Sequence, residues 1–117
     1  MKINEIANVL NADILINFCD KDTEIDFGFA SDLMSDVLAY ANVDSLLITG
    51  LNNPQVIRTA EMMDISTVLF VRGKKPSKDL INLAVENSLT VLATEYTMFK
   101  TCGLLVMSGM KGIEAHD

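Results

Sequence analysis

Residues 45–71, SLLITGLNNPQVIRTAEMMDISTVLFV, indicate the fold class most directly. The segment opens at 45–49 and closes at 66–71 with short, nearly continuous apolar runs of strand length. Between the two runs, Asn53 is a good helix cap and Pro54 suits the first helical position, where a missing N–H leaves nothing unpaired. The apolar face of the helix that follows comprises Val56, Ile57, Ala60 and Met63. The stretch therefore predicts a strand, a helix and a second strand.

A third apolar run, TVLA at 90–93, repeats this alternation of short strands with longer helical segments. Near-continuous apolarity, without in-and-out alternation, is what a strand covered on both faces requires. We therefore predict a single α/β domain with a mostly parallel sheet flanked by helices.

The remaining elements are predicted from start signals and apolar spacing. Four further helices are expected at 3–10, from Ser31-Asp32 to about Ala41, from Pro76-Ser77 to Asn87-Ser88, and from Thr94-Glu95 to Gly109. Their apolar faces are Ile3, Ile6, Ala7 and Leu10; Leu33, Val37 and Leu38; Leu80, Ile81, Ala84 and Val85; and Met98, Phe99, Cys102, Leu105 and Val106. Two strands at 13–18 and 24–29 are joined by a polar turn at 19–23, and their place in the sheet is left open. The domain is expected to cover 1–113, with a flexible tail at 114–117.

Composition excludes several classes of function. The 117 residues are 50% hydrophobic and 21% charged, and 16 acidic against 9 basic residues give a net charge of −7, the wrong sign for gripping a phosphate backbone. No apolar run approaches the roughly 18 residues of a membrane span. Cys19 and Cys102 form no metal-spaced or redox pair, so we expect free thiols and a cytoplasmic protein. The charge and the lack of a long apolar run lead us to expect binding to neither nucleic acid nor membrane.

A binding site is predicted where the parallel strands end, since ligands of open α/β sheets settle beside the loops and helix N-termini found there. Backbone N–H groups with Asn and Thr side chains would hold phosphate or ribose oxygens, and Arg72 would supply a charged fork. The candidate ligand-binding residues are Ser31, Asp32, Thr49, Asn52, Asn53, Arg72, Lys74, Thr94 and Thr97.

Charge distribution supports an anionic ligand. Residues 1–51 hold nine acids and two bases, whereas residues 52–117 hold seven of each sign. Arg72, Lys74, Lys75 and Lys78 cluster around one strand-to-helix loop. The alternative is that these side chains simply keep the surface solvated.

Catalytic and metal signatures are weak, and we expect no enzyme activity, no cofactor and no metal site. His116 stands in a polar tail, Cys102 lies among apolar neighbours, and no phosphate-binding glycine loop occurs. Asp32 and Asp36 could bridge a cation or simply favour a helix N-terminus, and an enzyme built on them stays a third hypothesis.

The last predicted helix is apolar on more than one face. A helix that is apolar all round needs cover all round, which a second subunit of a homodimer would supply. The alternative is cover by the sheet and a neighbouring helix within one chain.

Four stretches carry a family resemblance. They are residues 28–41 (GFASDLMSDVLAYA), 45–50 (SLLITG), 53–57 (NPQVI) and 94–99 (TEYTMF), and together they resemble the DRTGG domain family. The naming motif is degraded, because DTEIDFG at 22–28 keeps Asp22 and Gly28 but lacks the arginine and the second glycine.

The resemblance implies a non-catalytic regulatory module that tends to dimerise, with a fold like the N-terminal domains of HPr kinase/phosphorylase and of the Mur ligases. We expect a dimeric module that senses a small anionic ligand, such as an adenine nucleotide, or docks on a metabolic enzyme. The alternative is an interaction or scaffold module without a small-molecule ligand.

Overall fold

The computed structural model describes residues 1–41, 45–73 and 75–114, in which the chain forms five helices and six strands. In chain order they are α1 (Ile3–Leu10), β1 (Asp13–Ile16), β2 (Phe27–Ala30), α2 (Met34–Tyr40), β3 (Ser45–Thr49), α3 (Pro54–Met62), β4 (Thr67–Phe70), α4 (Lys78–Glu86), β5 (Thr90–Ala93), α5 (Met98–Met107) and β6 (Lys111–Gly112).

The strands form one sheet in the order β1-β5-β4-β3-β2-β6. Every pairing is parallel except that of β1, which runs antiparallel to β5 at one edge. The predicted mostly parallel α/β sheet is therefore confirmed. Strands β3 and β4 are buried throughout, which explains their unbroken apolar sequences.

The two faces of the sheet are covered by different helices. Leu47 on β3 and Phe70 on β4 pack with α2, α3 and α4. Their sequence neighbours Leu46 and Leu69 point to the opposite face and pack with α1 and α5, as the two-residue period of a strand requires. The three connections from β2 through β3 and β4 to β5 each advance by one strand across the sheet. Helix α5 then carries the chain back over the other face to β6, which pairs with β2.

The first two strands differ from the sequence expectation. Strand β1 ends at Ile16 and β2 begins at Phe27, and they lie far apart in the sheet. The segment between them is no hairpin, because it crosses the amino ends of the central strands. The N–H of Phe18 donates to Oγ1 of Thr90 at 3.0 Å, and Sγ of Cys19 lies 3.3 Å from the same oxygen.

Helix α2 is shorter than expected. It begins at Met34, because Ser31 closes its own turn by accepting the N–H of Leu33 at 3.0 Å. The predicted apolar face was partly wrong: Leu33 and Leu38 are 58% and 43% exposed, whereas Met34 and Val37 are buried.

Helix α5 also begins later than expected, at Met98, since Thr97 and not Thr94 caps it. Its inner side contributes Leu105 to the core, whereas the outer side leaves Phe99 91% exposed. Strand β6 was missed because its two residues carry no apolar run. Helices α1, α3 and α4 and strand β5 agree with the expectation to within two residues at each end.

The boundary of the domain at residue 113 stays a prediction, and most of the expected tail, with His116, lies outside the described residues. Both cysteines are free and half-buried. Among the helices of the described ranges, none has the length and apolarity needed to cross a bilayer.

Candidate functional site at the carboxyl edge of the sheet

The loops predicted to form the site meet at one edge of the sheet. Strands β2, β3, β4 and β5 are consecutive parallel neighbours, so the loops that follow them lie side by side. Lys74, another of the predicted binding residues, lies outside the described residues. We call the group formed by Asp32, Thr49, Gly50 and Arg72 the edge cluster.

Asp32 ties two of these loops together. Its Oδ1 accepts the N–H of Gly50 at 2.6 Å and the hydroxyl of Thr49 at 3.1 Å. Thr49 in turn accepts the N–H of Leu51 at 3.1 Å through Oγ1, so that oxygen both donates and accepts. The carboxylate thus links the loops that follow β2 and β3. It does not cap α2, although a place at a helix N-terminus was the structural alternative expected for it.

Arg72 lies over the same loop. Its Nη2 donates to the carbonyl of Gly50 at 3.1 Å and lies 3.8 Å from Oδ2 of Asp32. Each of the two charged side chains remains 49% exposed, so solvent and solutes reach both. An exposed pair of this kind contributes only about 0–1 kcal/mol to stability.

Backbone geometry fixes the point from which the side chain of Arg72 projects. Its φ is 66°, in the left-handed region that side-chain-bearing residues rarely adopt, and Gly73 follows with a φ of 69°. The N–H of Arg72 donates to the carbonyl of Tyr96 at 2.8 Å, and that of Gly73 to the carbonyl of Thr94 at 3.0 Å. These bonds hold the strained turn against the loop after β5.

Gly50 belongs to the candidate site, although it was not among the residues predicted from the sequence. A Cβ built on it would lie 2.7 Å from Cζ and from Nε of Arg72, which is closer than real contacts allow. Glycine is therefore required for the guanidinium to lie against this loop. The available signal was a glycine directly after an apolar strand, where a backbone approaches a ligand or a side chain closely.

The side chains of the two asparagines after β3 make hydrogen bonds within the chain. Asn53 caps α3 by accepting the N–H of Gln55 at 2.9 Å. Asn52 donates through Nδ2 to the carbonyl of Lys75 at 2.8 Å, linking the loops after β3 and β4. Its Oδ1 is shielded from solvent and has no hydrogen-bond partner among the residues that the structure describes.

The threonines after β5 face inward or cap a helix. Oγ1 of Thr94 is buried, donates to the carbonyl of Leu10 at 2.8 Å and accepts the N–H of Tyr96 at 3.2 Å. Thr97 accepts the N–H of Lys100 at 3.4 Å at the start of α5. These side chains are engaged within the chain and hold the loop in place.

This edge presents groups that can bind an anion. It presents one guanidinium held by a carboxylate and a carbonyl, with the exposed Lys75 and Lys78 in the next loop and at the start of α4. No group of three or more His, Cys, Asp or Glu side chains able to hold a metal occurs within residues 1–41, 45–73 and 75–114. Burial raises the pKa of the Cys102 thiol, the opposite of the change that activates a cysteine nucleophile.

Comparison with known proteins gives two findings. The model of the DRTGG domain matches residues 5–108. Among solved structures, the chain is similar to the CBS and DRTGG domains of the regulatory region of a Clostridium perfringens pyrophosphatase, crystallised with its activator diadenosine tetraphosphate.

The TM-score is 0.73 at 20% sequence identity, and the match covers 93% of this chain and 47% of that one. At this identity the likeness establishes the fold, and the chain spans about half of the length of that regulatory region. No curated protein matches the chain.

Proposed function

We propose that this chain, which belongs to the DRTGG domain family, is a regulatory module that binds a small anionic ligand at the carboxyl edge of its sheet. The observation that carries the proposal is the placement of Arg72. Its guanidinium is held over Gly50, is half-exposed, and stands where the loops after β2, β3 and β4 meet.

Arg72 suits this role because most of its side-chain donors have no partner among the described residues. Only Nη2 donates within the described chain, so the guanidinium keeps other N–H groups for a phosphate or carboxylate. Asp32 and the Gly50 carbonyl orient the fork before a ligand arrives, which lowers the entropy lost on binding. Lys75 and Lys78 add positive charge in a chain of net charge −7.

An adenine nucleotide is the first ligand to test. The structurally similar pyrophosphatase region was crystallised with diadenosine tetraphosphate, which is an activator of that protein. A polyphosphate of this kind offers the negative charge that the Arg72 side of the site would take, and a ribose whose hydroxyls could donate to Asp32.

The direct test is isothermal titration with ATP and with diadenosine tetraphosphate, on the unaltered chain and on Arg72→Met. Loss of a charge-assisted hydrogen bond, about 1.5–3 kcal/mol, predicts an increase in Kd of about 10- to 150-fold. Arg58→Met is the matched control, since Arg58 is the other arginine of the chain and lies exposed on α3. Equal Kd values for both variants, or no heat with either ligand, would contradict the proposal.

A second copy of the chain is the partner that we propose for the outer face of α5, which makes the module a homodimer. Phe99 and Met107 on this face are 91% and 85% exposed, and a Cβ on Gly103 between them would meet open space. Helix α5 contains no carboxylate, and Nζ of its only charged residue, Lys100, lies 3.9 Å from the centre of the Tyr96 ring. Two chains of charge −7 repel each other least through such a face.

Sedimentation equilibrium tests this pairing. Phe99→Ser combined with Met107→Ser is expected to convert the dimer to a monomer, whereas Met62→Ser, at another exposed methionine, is expected to leave it intact. A monomeric unaltered chain would contradict this pairing and would favour the alternative function, an interaction or scaffold module that binds another protein through this face.

A further inference from the structure

The apolar side of the sheet beside β6 holds a cavity of about 180 Å³ that lies apart from the edge cluster. Ile48, Leu105, Val106 and Met110 supply its apolar walls, and Gly28 and Ala30 line the sheet side. The small residues keep it open: a Cβ on Gly28 would lie 3.0 Å from Sδ of Met110. An engineered apolar cavity of about 150 Å³ accepts benzene, so this one is large enough for the side chain of a Phe or Leu.

An unpaired piece of sheet edge adjoins the cavity. The N–H of Lys111 donates to the carbonyl of Asp26 at 2.9 Å, so this carbonyl faces β6, whereas the N–H of Ser31 donates to Ile48 on β3 at 3.0 Å. Because orientation alternates along a strand, the backbone groups of Ala30 also face the β6 side. Strand β6 pairs only with Phe27 and Gly28, and Ala30 is exposed. Within the described residues its N–H and C=O therefore have no strand partner.

Carboxylates bracket this edge. Asp26 precedes β2 and Asp32 follows it, and both are exposed. In the described part of the chain Asp26 has no ion pair, and Asp32 has only the 3.8 Å contact with Arg72. The two carboxylates outnumber Lys111, the basic residue that lines the cavity, so the net charge favours an occupant with basic residues on either side of its apolar one.

From these observations we propose that an extended segment of a partner protein adds to the edge of β2 in line with β6, placing one large apolar side chain, flanked by Lys or Arg, in the cavity. Backbone hydrogen bonds to Ala30 would supply the pairing and the cavity would supply specificity, as in other cases of strand addition. This interaction surface shares Asp32 with the anion site, whereas its cavity and the backbone of Ala30 belong to it alone.

The test titrates the isotope-labelled chain with an acetylated and amidated peptide, Lys-Val-Phe-Val-Lys, and follows the amide signals of Gly28, Ala30 and Gly112. Saturable shifts of these signals are expected. A peptide with Ser in place of Phe, and one with Glu in place of both Lys, should each bind at least about tenfold more weakly, the loss that 1.4 kcal/mol produces.

Ala30→Leu fills the cavity at an exposed position and should weaken binding by the same factor. Ala39→Leu, the same substitution at an exposed position on α2, should not. Equal binding by the two variants would overturn the proposal. So would shifts confined to the loops after β3 and β4, or a homodimer formed through Phe99 that covers the cavity.

Discussion

At the amino edge of the sheet Thr67 and Thr90 are fully buried, whereas at the carboxyl edge Asp32 and Arg72 are each 49% exposed. Both edges carry polar side chains at, or just beyond, the ends of parallel strands. The hydroxyls of the amino edge hold a passing segment of chain and are enclosed by it, as the bond from Phe18 to Thr90 shows. The charges of the carboxyl edge orient one another and stay accessible. Exposure therefore separates polar groups that the chain encloses from polar groups that solutes can reach.

The sharpest test of this difference is Thr90→Val at the amino edge. The substitution preserves shape and strand propensity but leaves the N–H of Phe18 without its acceptor. The acceptor is buried and the bond is part-buried, so the unpaired donor is expected to lower the free energy of unfolding by about 1–3 kcal/mol. Urea denaturation followed by circular dichroism measures it, and an unchanged midpoint would show that water replaces the hydroxyl.

At the carboxyl edge, Asp32→Ala is expected to have a smaller effect, a loss of about 1 kcal/mol. The variant removes the acceptor for Gly50 N–H, but solvent can reach this half-exposed site and replace it. Asp32→Asn retains an acceptor and should recover part of the loss. A larger loss than that of Thr90→Val would contradict the distinction between the two edges.

Thr101→Val is expected to raise the free energy of unfolding, whereas the two preceding substitutions lower it. Oγ1 of Thr101 on α5 is buried and has no hydrogen-bond partner within the described chain. Since an isosteric apolar group removes an unpaired polar atom, we expect unfolding to become harder by up to about 1 kcal/mol. The same measurement applies, and destabilisation would indicate that an ordered water pairs with the hydroxyl.

The smallest effect concerns Cys102, whose thiol pKa is raised by burial. In a Cys19→Ser variant, iodoacetamide should modify Cys102 in the folded chain with a midpoint at higher pH than in the urea-unfolded chain. Because the folded pKa is the higher one, the linked stability is present below the unfolded pKa and is lost as the pH rises through the folded pKa. Coinciding midpoints would contradict burial of the thiol.

The elements that could be predicted from the sequence are those whose signals lie in neighbouring residues. The run at 45–71 predicted β3, α3 and β4 because buried strands and a capped helix are determined by neighbouring residues. Strand β6 and the position of β1 could not be predicted, since they depend on pairing partners that lie far away in the chain.

The site shows the same division. The topology rule brought the loops of Asp32, Thr49 and Arg72 to one edge, as expected. It could not show that Thr94 turns inward to the carbonyl of Leu10, or that Gly50 is the contact point of Arg72, because both depend on packing across separate elements. Which of the predicted residues bind a ligand stays a prediction.

The hydrogen bonds at the start of β2 also affect how the module could be rewired. The amino group of Met1 donates to the carbonyl of Ile25 at 2.8 Å, and the N–H of Lys111 donates to that of the next residue, Asp26, at 2.9 Å. Positions more than a hundred residues apart thus meet at adjacent peptide units. A short linker could close the chain into a ring and new ends could be opened at an exposed turn such as Ser88, giving a circular permutant with the same sheet. The same geometry would let a host protein carry the module as an insertion whose two connections leave from a single corner.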